Sequence, residues 1–144
     1  LRRRQRQMCI RDSDDTGATA LGRYAPYTRS LREEMNVLYV VNPCRPFSAS
    51  VEDIAGLYRL IERQARLTPD HLVNNANLQE FTTPEVLLAG QELLEKVAAL
   101  LGRPVSMIAG RPHLKDALPD ALKPLFFAFE PLMKPEWLVD ADEL

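Results

Sequence analysis

The sequence predicts an α/β fold in which a partial parallel sheet carries flanking helices. Three short apolar runs suited to buried strands alternate with two long segments whose apolar residues recur at helical spacing. This order is the pattern of right-handed crossovers, which join parallel strands of one sheet. The 144 residues, 46% hydrophobic and 26% charged, are typical of one globular domain.

The first crossover is predicted from a strand and an amphipathic helix. "NVLYVV", from Asn36 to Val41, is a nearly continuous apolar run that suits a strand buried on both faces. Ser50 then opens "SVEDIAGLYRLIERQARL", and Asp53 follows it at the spacing of a capping box. We therefore predict a helix of about four turns after the first strand. Ahead of that strand, "TGATALGRYAPYTRSLRE" is also predicted to begin as a helix.

The second crossover begins with "HLVNNANL", a short strand that ends in asparagines. A second long helix follows, with Thr83 as its cap, Pro84 at its first position and Gly102 as its stop. "PVSMIAG", residues 104–110, is the third buried strand. Residues 115–144 contain four prolines and four large aromatic residues, and they are predicted to form an irregular tail that packs on the sheet's edge. A peptide or membrane contact through those aromatic residues is the alternative.

Charge is distributed unevenly along the chain. Residues 1–13 hold five arginines against one acid, whereas the remainder carries a net charge of −6. An acidic body is a poor match for nucleic acid, whose binding depends on neutralising phosphates. The sequence contains no apolar run of membrane-spanning length and no cysteine at metal-ligand spacing. We therefore expect a cytoplasmic protein with no membrane span, no nucleic-acid partner and no metal ligands of its own.

The basic head, residues 1–13, has two interpretations. A terminal arginine cluster can be a native arm that touches nucleic acid or an anionic membrane. However, "RQRQMCIRDS" resembles the peptide encoded by sequencing-adapter DNA left at the end of an assembled read. On that interpretation the head is non-native and the natural sequence begins in mid-domain at Asp14. Residues 14–114 then form the α/β unit, followed by the tail at 115–144.

Candidate site residues follow the predicted strands, since ligands bind at the carboxyl ends of strands in open parallel sheets. Those residues are Asn42, Pro43, Cys44 and Arg45 after the first strand, Asn74, Asn75 and Asn77 after the second, and Arg111, Pro112 and His113 after the third. Amides suit a purine edge and arginine suits phosphate. The alternative is that the amides satisfy loop backbone, which we prefer for Asn75 and Asn77 and weigh equally for Asn74. No catalytic constellation is present.

Taken together, "DDTGATALGRY", "NVLYVVNPCRPF", "HLVNNANL", "TTPEVLLAGQELLEKVAALLGRPV" and "RPHL" resemble the C-terminal half of the MinD/ParA/CobQ class of bacterial P-loop nucleotide-binding proteins. The resemblance implies the corresponding half of a three-layer fold. It also implies that the intact parent binds ATP and Mg²⁺, acts as a nucleotide-dependent switch and forms a homodimer. By the same resemblance, Asp14, Asp15 and Gly17 lie near phosphate and metal, Asn74 contacts adenine, and Arg111 and Pro112 close over the base.

The phosphate loop of that class has no counterpart here, because no glycine begins a GxxxxGK[ST] motif. We therefore expect this chain to neither bind nor hydrolyse ATP measurably, and whether the parent is an ATPase stays open. An uncovered sheet edge should also make the chain prone to aggregation. The rival hypothesis is a non-enzymatic α/β interaction module without nucleotide binding.

Overall fold

The structure is a computed structural model that describes residues 15–130, with the side chains of residues 15 and 16 excepted. The described helices are α1 (Asp15–Gly22), α2 (Ala25–Ser30), α3 (Val51–Ala65) and α4 (Pro84–Leu101). The strands are β1 (Leu38–Val41), β2 (His71–Asn74), β3 (Val105–Gly110) and β4 (Phe126–Ala128). The basic head and residues 131–144 lie outside the described residues, so their predicted roles stay predictions.

The four strands form one sheet in the order β1-β2-β3-β4, and every neighbouring pair is parallel. Helix α3 connects β1 to β2, and α4 connects β2 to β3. The predicted α/β class, a partial parallel sheet with flanking helices, is therefore confirmed.

Both long helices pack on the same face of the sheet. Tyr39 of β1 and Leu72 of β2 are register partners, and both point into a core that α3 and α4 complete. The buried residues of this core are Tyr39, Val41, Ile54, Tyr58, Leu72, Leu94 and Val97. Helix α1 packs on the C-terminal part of α3 through Ala18 and Leu21. Within residues 15–130 the sheet and its two long helices form two layers, and the three-layer arrangement stays a prediction for the parent.

Strand β1 differs from the prediction of a strand buried on both faces. Tyr39 and Val41 are buried, whereas Leu38 and Val40 are 44% and 50% exposed. The reason is that β1 is the first strand in the sheet order and that α3 and α4 cover only one face. A continuous apolar run predicts a strand, but it does not show whether neighbouring elements cover one face of that strand or both.

Capping residues, proline and glycine in the sequence predicted the ends of the two long helices correctly. The Ser50 hydroxyl accepts the Asp53 N–H at 3.1 Å and donates to the Asp53 carboxylate at 2.6 Å, so the predicted cap at the start of α3 is present. Pro84 begins α4, and Gly102 ends it at a left-handed φ of 65°. Thr83 precedes α4 but makes no side-chain bond to the helix backbone. Its hydroxyl instead donates to the Glu85 carboxylate and lowers the pKa of that group.

The segment predicted as an irregular tail contributes a strand. Residues 126–128 form β4, which pairs in parallel with β3. Gly110 permits this approach, because a Cβ at that position would lie 3.0 Å from the Phe126 ring. Residues 126–128 therefore join the sheet's edge as a short strand, whereas Phe127 is 54% exposed and the packing of residues 131–144 stays a prediction. Three residues are too few to show alternation, which explains why the sequence did not reveal this strand.

Candidate functional site

The loops that follow β1, β2 and β3 meet at one edge of the sheet, which we call the carboxyl edge. Parallel pairing places the ends of neighbouring strands side by side, with Val41 opposite Asn74 and Asn74 opposite Ile108. Neighbouring strands lie about 4.8 Å apart, so side chains at successive strand ends can contact one ligand.

Asn42 joins the first two loops of the carboxyl edge. Its Oδ1 accepts the backbone N–H groups of Cys44 at 3.0 Å and Asn77 at 3.1 Å. Its Nδ2 donates to the Asn77 carbonyl at 3.0 Å. The amide of Asn42 therefore serves the loop backbone and fixes the two loops relative to each other.

Asn77 has a similar structural role within the second loop. Its Oδ1 accepts the Gln79 N–H at 2.7 Å. The preferred interpretation of Asn77 as a residue that satisfies loop backbone is confirmed.

Asn74 ends β2 with its side chain fully buried against α4. Its Nδ2 donates to the Leu87 carbonyl at 3.0 Å and to Gln91 Oε1 at 3.3 Å, while its Oδ1 accepts the Ala76 N–H at 3.0 Å. Gly90 makes room for this amide, because a Cβ there would lie 3.0 Å from Asn74 Oδ1. Both ends of the amide are thus bound within the protein, and a contact with adenine would require one of these bonds to exchange. The adenine contact stays a prediction.

The side chain of Asn75 points to the opposite face of the sheet from that of Asn74. Its backbone N–H donates to the Val41 carbonyl at 2.8 Å, which continues the strand pairing by one residue. Successive side chains of an extended strand alternate, so Asn75 points away from the helices. Its half-exposed amide makes no hydrogen bond with any residue in the described range 15–130. The preferred interpretation of Asn75 as a residue whose amide satisfies loop backbone is therefore not borne out within residues 15–130. Alternation along the strand was the signal that distinguishes Asn75 from Asn74.

Arg111 follows β3 on the same side of the sheet as Asn75. A Cβ at Gly110 would lie 3.4 Å from Leu87 of α4, so position 110 faces the helices and position 111 faces away from them. The Arg111 carbonyl accepts the Leu114 N–H at 3.0 Å, which closes a 3₁₀ turn at Pro112–Leu114. The guanidinium is half-exposed and has no partner among the residues described. Pro112 and His113 are exposed in the same turn.

Of the three residues predicted near phosphate, only Gly17 is fully described, and its neighbour Ala18 packs away from the carboxyl edge. Gly17 belongs to α1, beside Ala18, which packs against Ala65 and Leu67. Ala65 ends α3, and Leu67 precedes β2, so this contact lies toward the amino ends of the strands. Asp14 lies outside the described residues, and Asp15 is described only as the first residue of α1. The phosphate and metal roles of Asp14, Asp15 and Gly17 stay predictions.

The carboxyl edge therefore presents one amide and one guanidinium on the side of the sheet away from α3 and α4. An amide offers a donor and an acceptor in one plane, and a guanidinium offers up to five donors. These groups fit a nucleobase or an anion, but the described chain contains no cluster of three His, Cys, Asp or Glu residues that could hold a metal ion. Nor is any described helix long and apolar enough to cross a membrane.

The chain was compared with protein-family models, curated proteins and solved structures. None of the three comparisons found a match.

Proposed function

We propose that this chain supplies the base-binding side of an adenine-nucleotide-binding protein of the ParA/MinD type, with Asn75 and Arg111 as the contacting residues. The observation that carries the proposal is that two neighbouring parallel strands end in polar side chains on one side of the sheet. Neither side chain has a partner in residues 15–130. They lie at the edge where open parallel sheets bind ligands.

The chemistry of the two side chains suits a purine. The Asn75 amide can donate to a ring nitrogen of adenine and accept from its amino group, the same pairing that asparagine makes with adenine in DNA. The planar guanidinium of Arg111 can stack on a base or bind a phosphate. Asn74 would then be a positioning residue, because its bonds to Ala76 and Leu87 fix the loop that carries Asn75.

Triphosphate affinity must come from elements that this sequence does not contain. The backbone cradle and lysine of a phosphate loop supply most of the attraction for ATP and most of the charge stabilisation in phosphoryl transfer. In this proposal the parent binds ATP with Mg²⁺ and works as a dimeric switch, while this chain alone binds the base with only millimolar affinity, too weak to register in a titration with an ATP analogue at micromolar concentration. We expect no micromolar affinity for ATP and no hydrolysis by this chain.

The test is a titration of the ¹⁵N-labelled chain with adenosine, followed by NMR. We expect millimolar binding that shifts the backbone signals of Asn75 and Arg111, with smaller shifts from cytidine. Asn75→Ala should abolish the adenosine shifts. The matched control is Asn36→Ala, which removes an exposed amide ahead of β1, at the opposite end of the sheet.

Two results would contradict the proposal. One is adenosine binding that Asn75→Ala and Arg111→Ala leave unchanged. The other is the complete absence of adenosine shifts at millimolar concentration, which favours the rival interaction module. Separately, a fluorescent ATP analogue that binds this chain with micromolar affinity would show that a phosphate loop is not required.

A further inference from the structure

Two phenylalanines project from the carboxyl edge into solvent. Phe47 is 86% exposed and Phe81 is 80% exposed, and Leu78, three residues before Phe81, is 42% exposed. Phe47 lies in the 3₁₀ turn Pro46–Ser48 after β1, and Phe81 in the turn Gln79–Phe81 after β2. We call Phe47, Leu78 and Phe81 the loop apolar surface. Phe47 and Phe81 have the two highest exposed fractions among the exposed large hydrophobic residues of the described chain, and contiguous exposed apolar surface is typical of interaction sites.

Hydrogen bonds hold the two loops that carry this surface. The Asn42 amide joins them through its bonds to the backbone of Asn77. The Thr82 hydroxyl accepts the Leu78 N–H at 2.9 Å and donates to the Gln79 carbonyl at 2.9 Å, which closes the turn that ends at Phe81. The first loop is closed by the Ser48 N–H, which donates to the Arg45 carbonyl at 3.0 Å. The phenyl rings are therefore presented on ordered turns, which reduces the entropy lost when a partner covers them.

Acidic residues lie close in sequence to the residues of the loop apolar surface. Glu52 and Asp53 begin α3 and follow the Phe47 loop, while Glu80 and Glu85 flank Phe81. All four carboxylates are exposed. Segments 42–53 and 75–85 contain these four acids and one basic residue, Arg45, so the two loops carry a net negative charge.

We propose that the loop apolar surface binds a basic amphipathic segment of a partner protein. The rings would take the apolar face of that segment, and the acidic border would attract its lysines or arginines. The same acids repel anionic lipid and nucleic acid, and they repel the identical surface of a second copy of this chain. The inference goes beyond the proposed nucleotide contact, since it uses neither Asn75 nor Arg111.

The test is fluorescence anisotropy with a labelled helical peptide whose leucines recur at i, i+3, i+4 and i+7 and whose other residues are lysines. A scrambled peptide of the same composition is the comparison. We expect the ordered peptide to bind more tightly and its affinity to fall as salt is added. A version of the full chain with the arginines of residues 1–13 changed to glutamine excludes competition by that basic segment.

The double change Phe47→Ser and Phe81→Ser should weaken peptide binding by about tenfold or more, as expected for buried aromatic anchors. Glu80→Gln with Glu85→Gln should weaken binding mainly at low salt. The matched controls are Leu100→Ser, an exposed apolar residue at the far end of α4, and Glu33→Gln. Both controls should bind as the unmodified chain does. Circular dichroism checks that each variant folds.

Several outcomes would overturn the proposal. The double phenylalanine variant could bind the ordered peptide as tightly as the unmodified chain, or the scrambled peptide could bind equally well. Vesicles of phosphatidylglycerol could bind through the two rings, which would assign the surface to a membrane. Sedimentation velocity could reveal a dimer that the double variant dissociates, which would assign the surface to a second copy.

Discussion

At the scale of single residues, the two adjacent asparagines at the end of β2 have opposite roles. Asn74 is fully buried and its amide is bonded to α4 and to the loop after β2. Asn75 is half-exposed, and its side chain has no bond within residues 15–130. The first residue therefore maintains the fold, and the second is the residue that the proposed function assigns to a ligand.

This difference gives a stability prediction. Asn74→Ala leaves the Leu87 carbonyl, Gln91 Oε1 and the Ala76 N–H without their partner in a buried region. We expect the free energy of unfolding to fall by about 2–3 kcal/mol, the cost of unpaired buried polar groups. Asn75→Ala is the matched control and should change it by less than about 0.5 kcal/mol. Urea unfolding measures both, and equal losses for the two variants would show that the Asn74 bonds do not stabilise the fold.

From the sequence, a loop-backbone role was preferred for Asn75 and Asn77, and the resemblance assigned the adenine contact to Asn74. In the structure the Asn74 amide is bonded on both sides, and the Asn75 side chain has no bond within residues 15–130. Asn74, Asn75 and Asn77 look alike in composition, and a shift of one residue in the strand moves each side chain to the other face. Register depends on contacts between β2 and its neighbours, which are distant in sequence. The hydrogen bonds between Asn42 and Asn77 join residues 35 positions apart, so a short stretch of sequence does not predict them either.

At the scale of elements, helix ends were predictable and strand environments were not. The Ser50 cap, Pro84 and Gly102 act within one helical turn, so a short stretch of sequence contains the whole signal. The exposed face of β1 and the existence of β4 depend instead on which neighbours the sheet supplies. Local chemistry therefore determines where a helix ends, while tertiary packing determines how a strand is buried.

Two glycines test this role of local chemistry. Gly102 has a φ of 65°, so Gly102→Ala should lower the free energy of unfolding by about 1 kcal/mol. Gly56 lies inside α3, and a Cβ there would meet nothing within 4 Å. Gly56→Ala should raise the free energy of unfolding by about 0.5–1 kcal/mol, because alanine loses less backbone entropy in a helix. Chemical unfolding of the two variants should give shifts of opposite sign, and shifts of the same sign would contradict the assigned conformations.

At the scale of the whole molecule, one ion pair joins the segment before β1 to the loop before β2. The Arg32 guanidinium bonds to both carboxylate oxygens of Asp70, and it also donates to the Thr68 carbonyl at 3.3 Å. The same carboxylate accepts the Val37 N–H at 2.9 Å, directly ahead of β1. Thirty-eight residues separate the two partners, so no local pattern indicates the pair. It fixes the start of β1 against the start of β2.

The ion pair should make folding stability depend on pH at the acid end. The Arg32 hydrogen bonds, and secondarily the Val37 N–H, lower the pKa of Asp70 in the folded protein, although partial burial opposes them. A carboxyl whose pKa is lowered on folding stabilises the protein above its unfolded pKa of about 3.9, and that contribution is lost as pH falls through the folded pKa. Asp70→Asn should therefore lower the free energy of unfolding by about 1 kcal/mol at neutral pH, a modest value because water screens the partly exposed pair.

The measurement is urea unfolding of the unmodified chain and of Asp70→Asn from pH 7 downward. The difference between the two should stay constant at neutral pH and shrink below about pH 4, because protonated Asp70 and asparagine are then both neutral. Asp116→Asn, at an exposed position, is the control, and its free energy of unfolding should equal that of the unmodified chain at every pH. A difference that persists unchanged in acid would mean that Asp70 contributes through packing, since only its charge titrates in this range. A difference that shrinks shows that the charge of Asp70, paired with Arg32, connects the two ends of the first crossover.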